Sequence, residues 1–160
     1  MMRIVSGGQT GVDRGALDAA LDAGIPCGGW CPEGRQAEDG VIPERYPVQE
    51  LAGQGYRERT LKNLQDADGT VIIYFGSPSG GTEVTLSECI VHKRPYLLID
   101  ATELSVGQAA SRIQAFVDQH GIRELNVAGP RASGVPEARD FTYLALSSLI
   151  RMMEIRSRQA

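Results

Sequence analysis

Short apolar segments alternate with amphipathic segments along the whole chain. The clearest apolar segments are VIIYF at 71–75 and YLLI at 96–99, and continuous apolar runs of this length are typical of strands covered on both faces. The clearest amphipathic segment is DRGALDAALDAG at 13–24, where apolar residues recur at helical spacing and Gly24 marks the end. The pattern therefore predicts strands and helices in alternation.

Five strands and five helices follow from this pattern. We predict strands at 3–6, 25–30, 71–75, 96–99 and 125–128. We predict helices at 13–24, 56–67, 82–92, 106–120 and 136–155. Because strands that alternate with helices form a parallel sheet covered on both faces, we predict a single three-layer α/β/α domain over residues 1–160. Its parallel sheet is predicted to have five strands.

Glycine is the unusual part of the composition, with 19 glycines in 160 residues, about 12% against the usual ~7%. Three clusters each follow a predicted strand and open a helix: GGQTG at 7–11, GSPSGGT at 76–82 and GPRASG at 129–134. Backbone N–H groups at a helix N-terminus favour an anion, and glycine lets a ligand approach them closely. The three loops share one edge of a parallel sheet, so they predict a phosphate-binding edge, although each alone could be a tight packing turn.

The order of the strands decides whether these three loops can meet. If the fifth strand lies between the first and the third, the order is 2-1-5-3-4 and all three glycine loops are neighbours. The simpler order 2-1-3-4-5 would leave GPRASG on the far edge of the sheet. We favour the first order, because useful phosphate binding needs several loops together.

Charge and hydropathy restrict the partners. The chain has 16 basic and 20 acidic residues, a net charge of −4. It therefore lacks the basic composition of a nucleic-acid-binding protein, and we predict no nucleic-acid partner. The apolar runs are far shorter than the ~20 residues that span a bilayer, and no signal-peptide pattern is visible. Three cysteines are an odd number and too few for a disulfide framework, which favours a reducing cytoplasm.

The connection between the second strand and the second helix, residues 31–55, is long and polar. Long connections in compact domains are usually functional or mobile. Arg35 could bind phosphate oxygens through its planar guanidinium, and Trp30 could stack on a flat heterocycle. A solvated loop with Trp30 as its buried anchor explains the same residues, so both interpretations stay open.

Few residues suggest catalysis or metal binding. Glu83 is the one candidate acid or base, but an acid in the first turn of a helix is also stabilised by the helix dipole. Cys27 and Cys31 would lie ~13 Å apart in an extended strand. Burial in the core is therefore the favoured role of the cysteines, and no metal site is predicted.

Several motifs resemble those of the putative molybdenum carrier family. They are SGGQTGVDRGALDAAL at 6–21, GGWCPEGRQAEDGVIPERYP at 28–47, the RTxxN pattern at 59–63, GGTE at 80–83 and LNVAGPRASG at 125–134. This family is similar to the molybdenum cofactor carrier proteins of algae. It is also similar to the Rossmann-like group that contains the cytokinin-activating phosphoribohydrolases, relative to which its first strand has moved to the end of the chain.

The resemblance implies a Rossmann-like fold, a homo-oligomer (dimer or tetramer) and a set of ligand contacts. The implied contacts are Gly7, Gly8, Thr10, Gly11, Gly80, Gly81, Thr82, Gly129 and Arg131. To these we add Gln9 and Gly76 from the same glycine loops, and Arg35 and Glu83 as charged candidates. The phosphoribohydrolases have a glutamate three residues after the threonine of their PGGxGT motif, where this chain has Thr85.

The function predicted from these features is binding of a phosphorylated heterocycle, with the molybdenum cofactor as the candidate that the family supplies. Another nucleotide-like phosphate ligand would fit the same loops. The alternative is an enzyme that cleaves nucleoside monophosphates at the N-glycosidic bond, with Glu83 and Arg131 as its acid/base and phosphate-binding groups. The last helix carries more apolar side chains than one sheet face needs, so we also expect contact with a second copy of the chain.

Overall fold

The strands and helices of the protein are defined by a computed structural model that describes residues 2–160. The strands are β1 (Arg3–Val5), β2 (Cys27–Pro32), β3 (Gln36–Ala37), β4 (Gly40–Val41), β5 (Val48–Leu51), β6 (Gly69–Tyr74), β7 (Tyr96–Asp100) and β8 (Glu124–Ala128). The helices are α1 (Val12–Ala23), α2 (Tyr56–Asp66), α3 (Gly80–Val91), α4 (Val106–His120) and α5 (Ala138–Gln159).

Six parallel strands form the central sheet, in the order β5-β2-β1-β8-β6-β7. Strand β8 lies between β1 and β6, with Leu125 beside Ile4 and Ala128 beside Ile72. Strands β3 and β4 form a separate antiparallel hairpin. The loops that follow β1, β8 and β6 are therefore neighbours at the carboxyl edge of the sheet.

The prediction of a five-stranded sheet is wrong. The sheet has six strands, and neither predicted order matches it, because neither includes β5. The sixth strand is β5, which pairs with β2 at one edge and lies inside the connection that we predicted as a loop. Val48 of β5 is buried, whereas Gln49 and Glu50 are exposed. A four-residue edge strand with exposed polar side chains lacks the continuous apolar run of a central strand, so the hydrophobic pattern did not detect it.

Helices cover both faces of the sheet, giving three layers. Helices α1, α4 and α5 pack together on one face, and α2 and α3 pack together on the other. The central strands contribute the side chains between these layers, and Ile4, Val71, Ile73 and Leu125 are fully buried. Burying a side chain of this size stabilises the fold by about 1.5–3 kcal/mol. The central strands are therefore apolar throughout, and this is the pattern that predicted them from the sequence.

Helix α4 shows how local sequence sets a boundary. Ser105 precedes the helix, and its hydroxyl accepts a hydrogen bond from the backbone N–H of Gln108 at 3.2 Å. The Gln108 side chain in turn accepts from the backbone N–H of Ser105 at 2.9 Å. This reciprocal capping box satisfies two N–H groups that lack acceptors within the helix, so α4 begins where the pattern predicted.

Helix α5 buries only part of its apolar surface within the chain. Ala145, Leu146 and Leu149 are fully buried against the other layers, whereas Leu144 and Ile155 each remain 52% exposed. None of the helices within residues 2–160 has both the length and the apolar character needed to cross a membrane.

Candidate functional site

A cavity of about 520 Å³ opens at the carboxyl edge of the sheet, where the three glycine loops meet. The β1–α1 loop contributes Gly7 and Gln9, the β6–α3 loop contributes Ser79, Gly81 and Thr82, and the β8–α5 loop contributes Gly129, Pro130, Arg131, Ser133 and Gly134. Helix α2 forms another wall with Tyr56, Arg57, Arg59, Thr60 and Asn63. Pockets for small ligands have volumes of about 300–1,000 Å³, so the space suits a nucleotide-sized molecule.

A largely buried ion pair forms part of the cavity lining. Nη1 of Arg59 is 3.6 Å from Oδ2 of Asp13, and both side chains are largely buried. Asp13 also accepts the backbone N–H of Gln9 at 3.1 Å. Burial raises the pKa of Asp13, while Arg59 and this N–H act in the opposite direction. Burial also lowers the pKa of Arg59, and the pair keeps both groups compensated in a dry environment.

Arg59 can reach this position only because residue 7 has no side chain. A β-carbon at Gly7 would overlap the guanidinium of Arg59. The guanidinium therefore lies directly across the β1–α1 loop. This close approach explains why residue 7 is a glycine, whether or not Gly7 also contacts a ligand.

Positive charge is in excess around the cavity. Its lining includes Arg57, Arg59 and Arg131 but only one carboxylate, that of Asp13. Arg57 is paired with Glu88 at 3.1 Å, and its side chain is 75% exposed. Within residues 2–160, no carboxylate lies within 4.0 Å of the Arg131 guanidinium. Arg131 therefore has no direct ion-pair partner there, although it lies close enough to Asp13 and Glu38 for its charge to lower the pKa of each carboxylate.

The ring of Tyr56 lies beside two of the lining arginines, Arg59 and Arg131. The guanidinium carbon of Arg131 lies 4.6 Å from the centre of the Tyr56 ring, and that of Arg59 lies 5.9 Å from it. The charge of Arg131 contributes to lowering the pKa of Arg59, as expected for neighbouring cations. The aromatic ring partly stabilises both cations, and an anion between them would relieve their repulsion.

Two buried polar atoms at the cavity have no hydrogen-bond partner. They are Nε of Arg59 and Oε1 of Gln9. Most buried polar groups in native proteins are hydrogen-bonded. Both atoms are closed to water within residues 2–160, so a molecule that enters the cavity reaches this donor and this acceptor only when the side chains around them shift.

Glu38, in the turn between β3 and β4, connects two of the glycine loops. Its carboxylate accepts from the hydroxyl of Thr10 in the first loop and from the hydroxyl and backbone N–H of Ser133 in the third. The Thr10 hydroxyl also accepts the backbone N–H of Ala132 at 3.2 Å. The hydrogen bonds from Ser133 and Thr10 hold the pKa of Glu38 below its ordinary value. Sequence reasoning assigned no role to Glu38.

We expect Glu38→Gln to reduce the free energy of unfolding at pH 7 by no more than about 1 kcal/mol, since the group is exposed and solvent weakens its interactions. The pKa of Glu38 is lowered in the fold, so its stabilisation is present above the ordinary glutamate pKa of ~4.3. It is lost as the pH falls through the folded-state pKa. Urea unfolding of wild type and variant at pH 7, 5, 4 and 3 should therefore show a difference that shrinks with acidity. Glu44→Gln in the same exposed segment is the control, and a Glu38→Gln difference that stays constant with pH contradicts the assignment.

The predicted site residues divide into two groups. Those that line the cavity are Gly7, Gln9, Gly81, Thr82, Gly129 and Arg131. Those that do not line it are Gly8, Thr10, Gly11, Arg35, Gly76, Gly80 and Glu83. Several of the second group shape the loops instead: Gly8 lies against Ile42 and Val48, and the N–H of Gly76 donates to Asp100 at 3.0 Å.

Arg35 organises the long connection rather than the cavity. Its guanidinium donates to the backbone carbonyls of Ile42, Pro43, Tyr46 and Val48 at 2.8–3.1 Å. These acceptors occupy four of its five N–H groups and hold the segment that leads into β5. The structure thus gives Arg35 a role in the fold, away from the cavity.

Trp30 is also an anchor of the fold. Its backbone N–H donates to Oδ1 of Asn63 at 2.7 Å, and its carbonyl accepts from Nδ2 of the same amide at 2.9 Å. Its indole N–H donates to Asp66 at 2.9 Å. These bonds fasten β2 to α2, while Trp30 does not line the cavity.

Glu83, the candidate acid or base, lies outside the cavity. The residue is exposed on α3 and is not part of the cavity lining. Its neighbours Thr82, Val84 and Thr85 do line the cavity, and the Thr85 hydroxyl donates to the carbonyl of Gly81 at 3.1 Å. The one carboxylate of the lining, Asp13, was not singled out from the sequence, because only the fold shows that it is buried beside Arg59.

The cysteines and histidines of the described chain do not assemble a metal centre. Within residues 2–160, no group of three or more His, Cys, Asp or Glu side chains is placed to hold a metal ion. Cys27, Cys31 and Cys89 are free thiols, and burial raises the pKa of each.

Comparison with known proteins agrees with this architecture. The sequence model of the circularly permutated YpsA SLOG family matches residues 4–150. A crystal structure described as a putative molybdenum carrier protein from Syntrophus aciditrophicus SB is 44% identical in sequence, with a TM-score of 0.91 over 94% of this chain and 95% of that chain. No curated protein matches.

These matches confirm the family resemblance that was predicted from the motifs. The permutation is also consistent with β8, which is late in the chain yet lies at the middle of the sheet. With a match that spans nearly the whole sequence, the chain belongs to the circularly permutated YpsA SLOG family.

Proposed function

We propose that this protein binds a phosphorylated heterocyclic small molecule in the cavity between the three glycine loops. The observation that carries the proposal is the excess of positive charge there, in which Arg131 has no carboxylate partner within residues 2–160 and Arg59 shares Tyr56 with it. A phosphate group would accept hydrogen bonds from both guanidinium groups and would offset their repulsion.

The N-terminus of α3 adds a second source of positive potential. The helix begins at Gly80, and Ser79, Gly81 and Thr82 line the cavity. The first N–H groups of a helix have no acceptors within it, and the helix dipole favours an anion beside them. The arginines and the helix N-terminus therefore both favour an anionic group on the ligand.

The molybdenum cofactor is the first candidate ligand, because the 44% identical neighbour is described as a putative molybdenum carrier protein. The cofactor joins a phosphate to a flat, amino-bearing heterocycle, which fits the charge and the volume of the cavity. Nucleotides join the same two chemical groups and are the second candidates. The chain's own residues would hold either ligand through Arg59, Arg131 and the α3 terminus.

The arrangement supports binding more than cleavage of a bound nucleotide. Asp13 is the only carboxylate of the lining, and it is already engaged by Arg59 and the N–H of Gln9. A general acid or base must reach the reacting atom, and Glu83 lies outside the lining. We therefore favour a binding protein over a hydrolase.

Assembly and location complete the proposal. Leu144 and Ile155 of α5, and Ile90 and Val91 of α3, leave apolar side chains at the surface, which supports burial against further copies of the chain. The free thiols support a reducing compartment such as the cytoplasm. We accordingly propose a cytoplasmic homo-oligomer.

Thermal unfolding with molybdopterin, AMP, ADP-ribose and NAD tests the binding proposal. A ligand at one hundred times its Kd stabilises the fold by about 2.7 kcal/mol, which raises Tm by ~5–10 °C for a domain of this size. We expect a rise of this order with at least one of these compounds and none with unphosphorylated adenosine. No rise with any phosphorylated compound at millimolar concentration would refute the proposal.

A further inference from the structure

Gln9 is held rigidly in the β1–α1 loop by bonds to nearly all of its polar groups. Only 2% of the residue is exposed. Its backbone N–H donates to Asp13 at 3.1 Å, and its carbonyl accepts from the N–H of Arg14 at 3.2 Å. Its side-chain Nε2 donates to the carbonyl of Gln36 at 2.8 Å. The remaining polar atom is Oε1, which has no partner.

The orientation of the amide is determined by this environment. If the side-chain amide were turned over, Oε1 would face the carbonyl oxygen of Gln36, and two acceptors would repel each other. The observed orientation avoids this repulsion and leaves the acceptor unused in a residue that lines the cavity. Oε1 itself is closed to water, so a small shift of the side chain must accompany any bond to a ligand. A buried acceptor without a donor is costly and uncommon in native proteins.

An amide oxygen accepts hydrogen bonds only from N–H or O–H groups, and the residues that line the cavity supply none to Oε1. We propose that Gln9 is a specificity-determining residue whose side-chain oxygen accepts a hydrogen bond from an N–H or O–H group on the uncharged part of the bound phosphorylated ligand. This inference rests on the proposed function and adds to it. The arginines select the anionic group, and Gln9 selects a ligand whose heterocycle or sugar carries a donor.

Pairs of nucleotides that differ by one donor provide the test. GMP and IMP differ by the 2-amino group, AMP and purine riboside monophosphate differ by the 6-amino group, and AMP and 2′-deoxy-AMP differ by the 2′-hydroxyl. Isothermal titration calorimetry gives the affinity ratio within each pair, and the pairs separate a ring donor from a sugar donor. A site built to bond a donor rejects the analogue that lacks it, so we expect wild type to prefer the donor-bearing member of at least one pair by about tenfold.

Gln9→Met keeps the length of the side chain and removes the acceptor. In this variant we expect the ratio to fall to about one, with the affinity for inorganic pyrophosphate within about twofold of wild type, since pyrophosphate offers no ring or sugar donor. Each ratio is measured within one variant, so a uniform loss of affinity or stability does not change it. Gln9→Asn, whose shorter amide would not reach the same donor, should give the same loss of discrimination. Gln65→Met, at an exposed position outside the lining, is the control.

The outcomes separate this inference from the function on which it rests. Nucleotide and pyrophosphate binding with ratios near one in wild type, or with ratios that Gln9→Met leaves unchanged, overturns the role of Gln9 alone. No binding of any nucleotide or of pyrophosphate overturns the proposed function and this inference together.

Discussion

Replacing Arg131 with alanine is expected to weaken the binding of a phosphorylated ligand by about 10- to 150-fold, because a hydrogen bond to a charged group contributes ~1.5–3 kcal/mol. Arg131 is chosen over Arg59 because it has no carboxylate within 4.0 Å among residues 2–160, whereas Arg59 compensates the buried Asp13. Truncating Arg59 would leave Asp13 as an uncompensated buried charge and would destabilise the fold. Calorimetry with the phosphorylated compound that most raises Tm measures the effect directly.

The matched control is Arg57→Ala. Arg57 also lines the cavity, but it is exposed and already paired with Glu88. Exposed ion pairs contribute little, so we expect less than a threefold loss of affinity, on the order of 0.6 kcal/mol. Arg131→Lys keeps the charge without the planar guanidinium and should fall between wild type and alanine. Equal losses for Arg131→Ala and Arg57→Ala would show that bulk charge, and not the position of Arg131, attracts the ligand.

Gly11→Ala is expected to lower the free energy of unfolding by about 2–4 kcal/mol and Tm by ~5–15 °C. Gly11 has a φ of +81°, a conformation that strains any residue with a β-carbon. That β-carbon would also overlap the carbonyl oxygen of Pro130 and lie 2.9 Å from the backbone nitrogen of Ala132. The first and third glycine loops would have to separate, so ligand binding should fall with stability.

Gly107→Ala provides the comparison with the same chemical change. Gly107 lies in the first turn of α4, where an added β-carbon would meet no atom within 4 Å. Alanine favours a helix over glycine by up to about 1 kcal/mol, so this variant should be neutral or slightly more stable. Chemical unfolding of both variants measures the contrast. If Gly11→Ala were as stable as Gly107→Ala, the close packing of the two glycine loops would be disproved.

The sequence predicted the elements whose signal is local. VIIYF and YLLI correspond to β6 and β7, because strands buried on both faces must be apolar throughout. The helix at 106–120 was also predicted correctly, and it coincides with α4. In contrast, β5 was missed, since only Val48 and part of Leu51 turn inward at the edge of the sheet.

The same distinction applies to the site. The glycine loops were evident because their composition is unusual, and their meeting place depended on the position of β8. The contributions of Tyr56, Asp13 and Glu38 depend on residues far away in the chain. The bond from Ser133 to Glu38 spans 95 residues, and no local pattern marks such a partner. Conversely, the charge of Arg35 suggested a phosphate contact, whereas in the structure its guanidinium donates hydrogen bonds to four backbone carbonyls.

The position of β8 has a consequence for how the chain folds as it is synthesised. Strand β1 pairs with β2 and β8, and β6 pairs with β7 and β8, so the two halves of the sheet touch only through residues 124–128. Before the ribosome has released this segment, the inner edges of β1 and β6 have no strand to pair with. Such edges are open to pairing with other chains. The same late strand joins the halves, covers both edges and carries the loop that completes the cavity wall, so all three depend on residues 124–134.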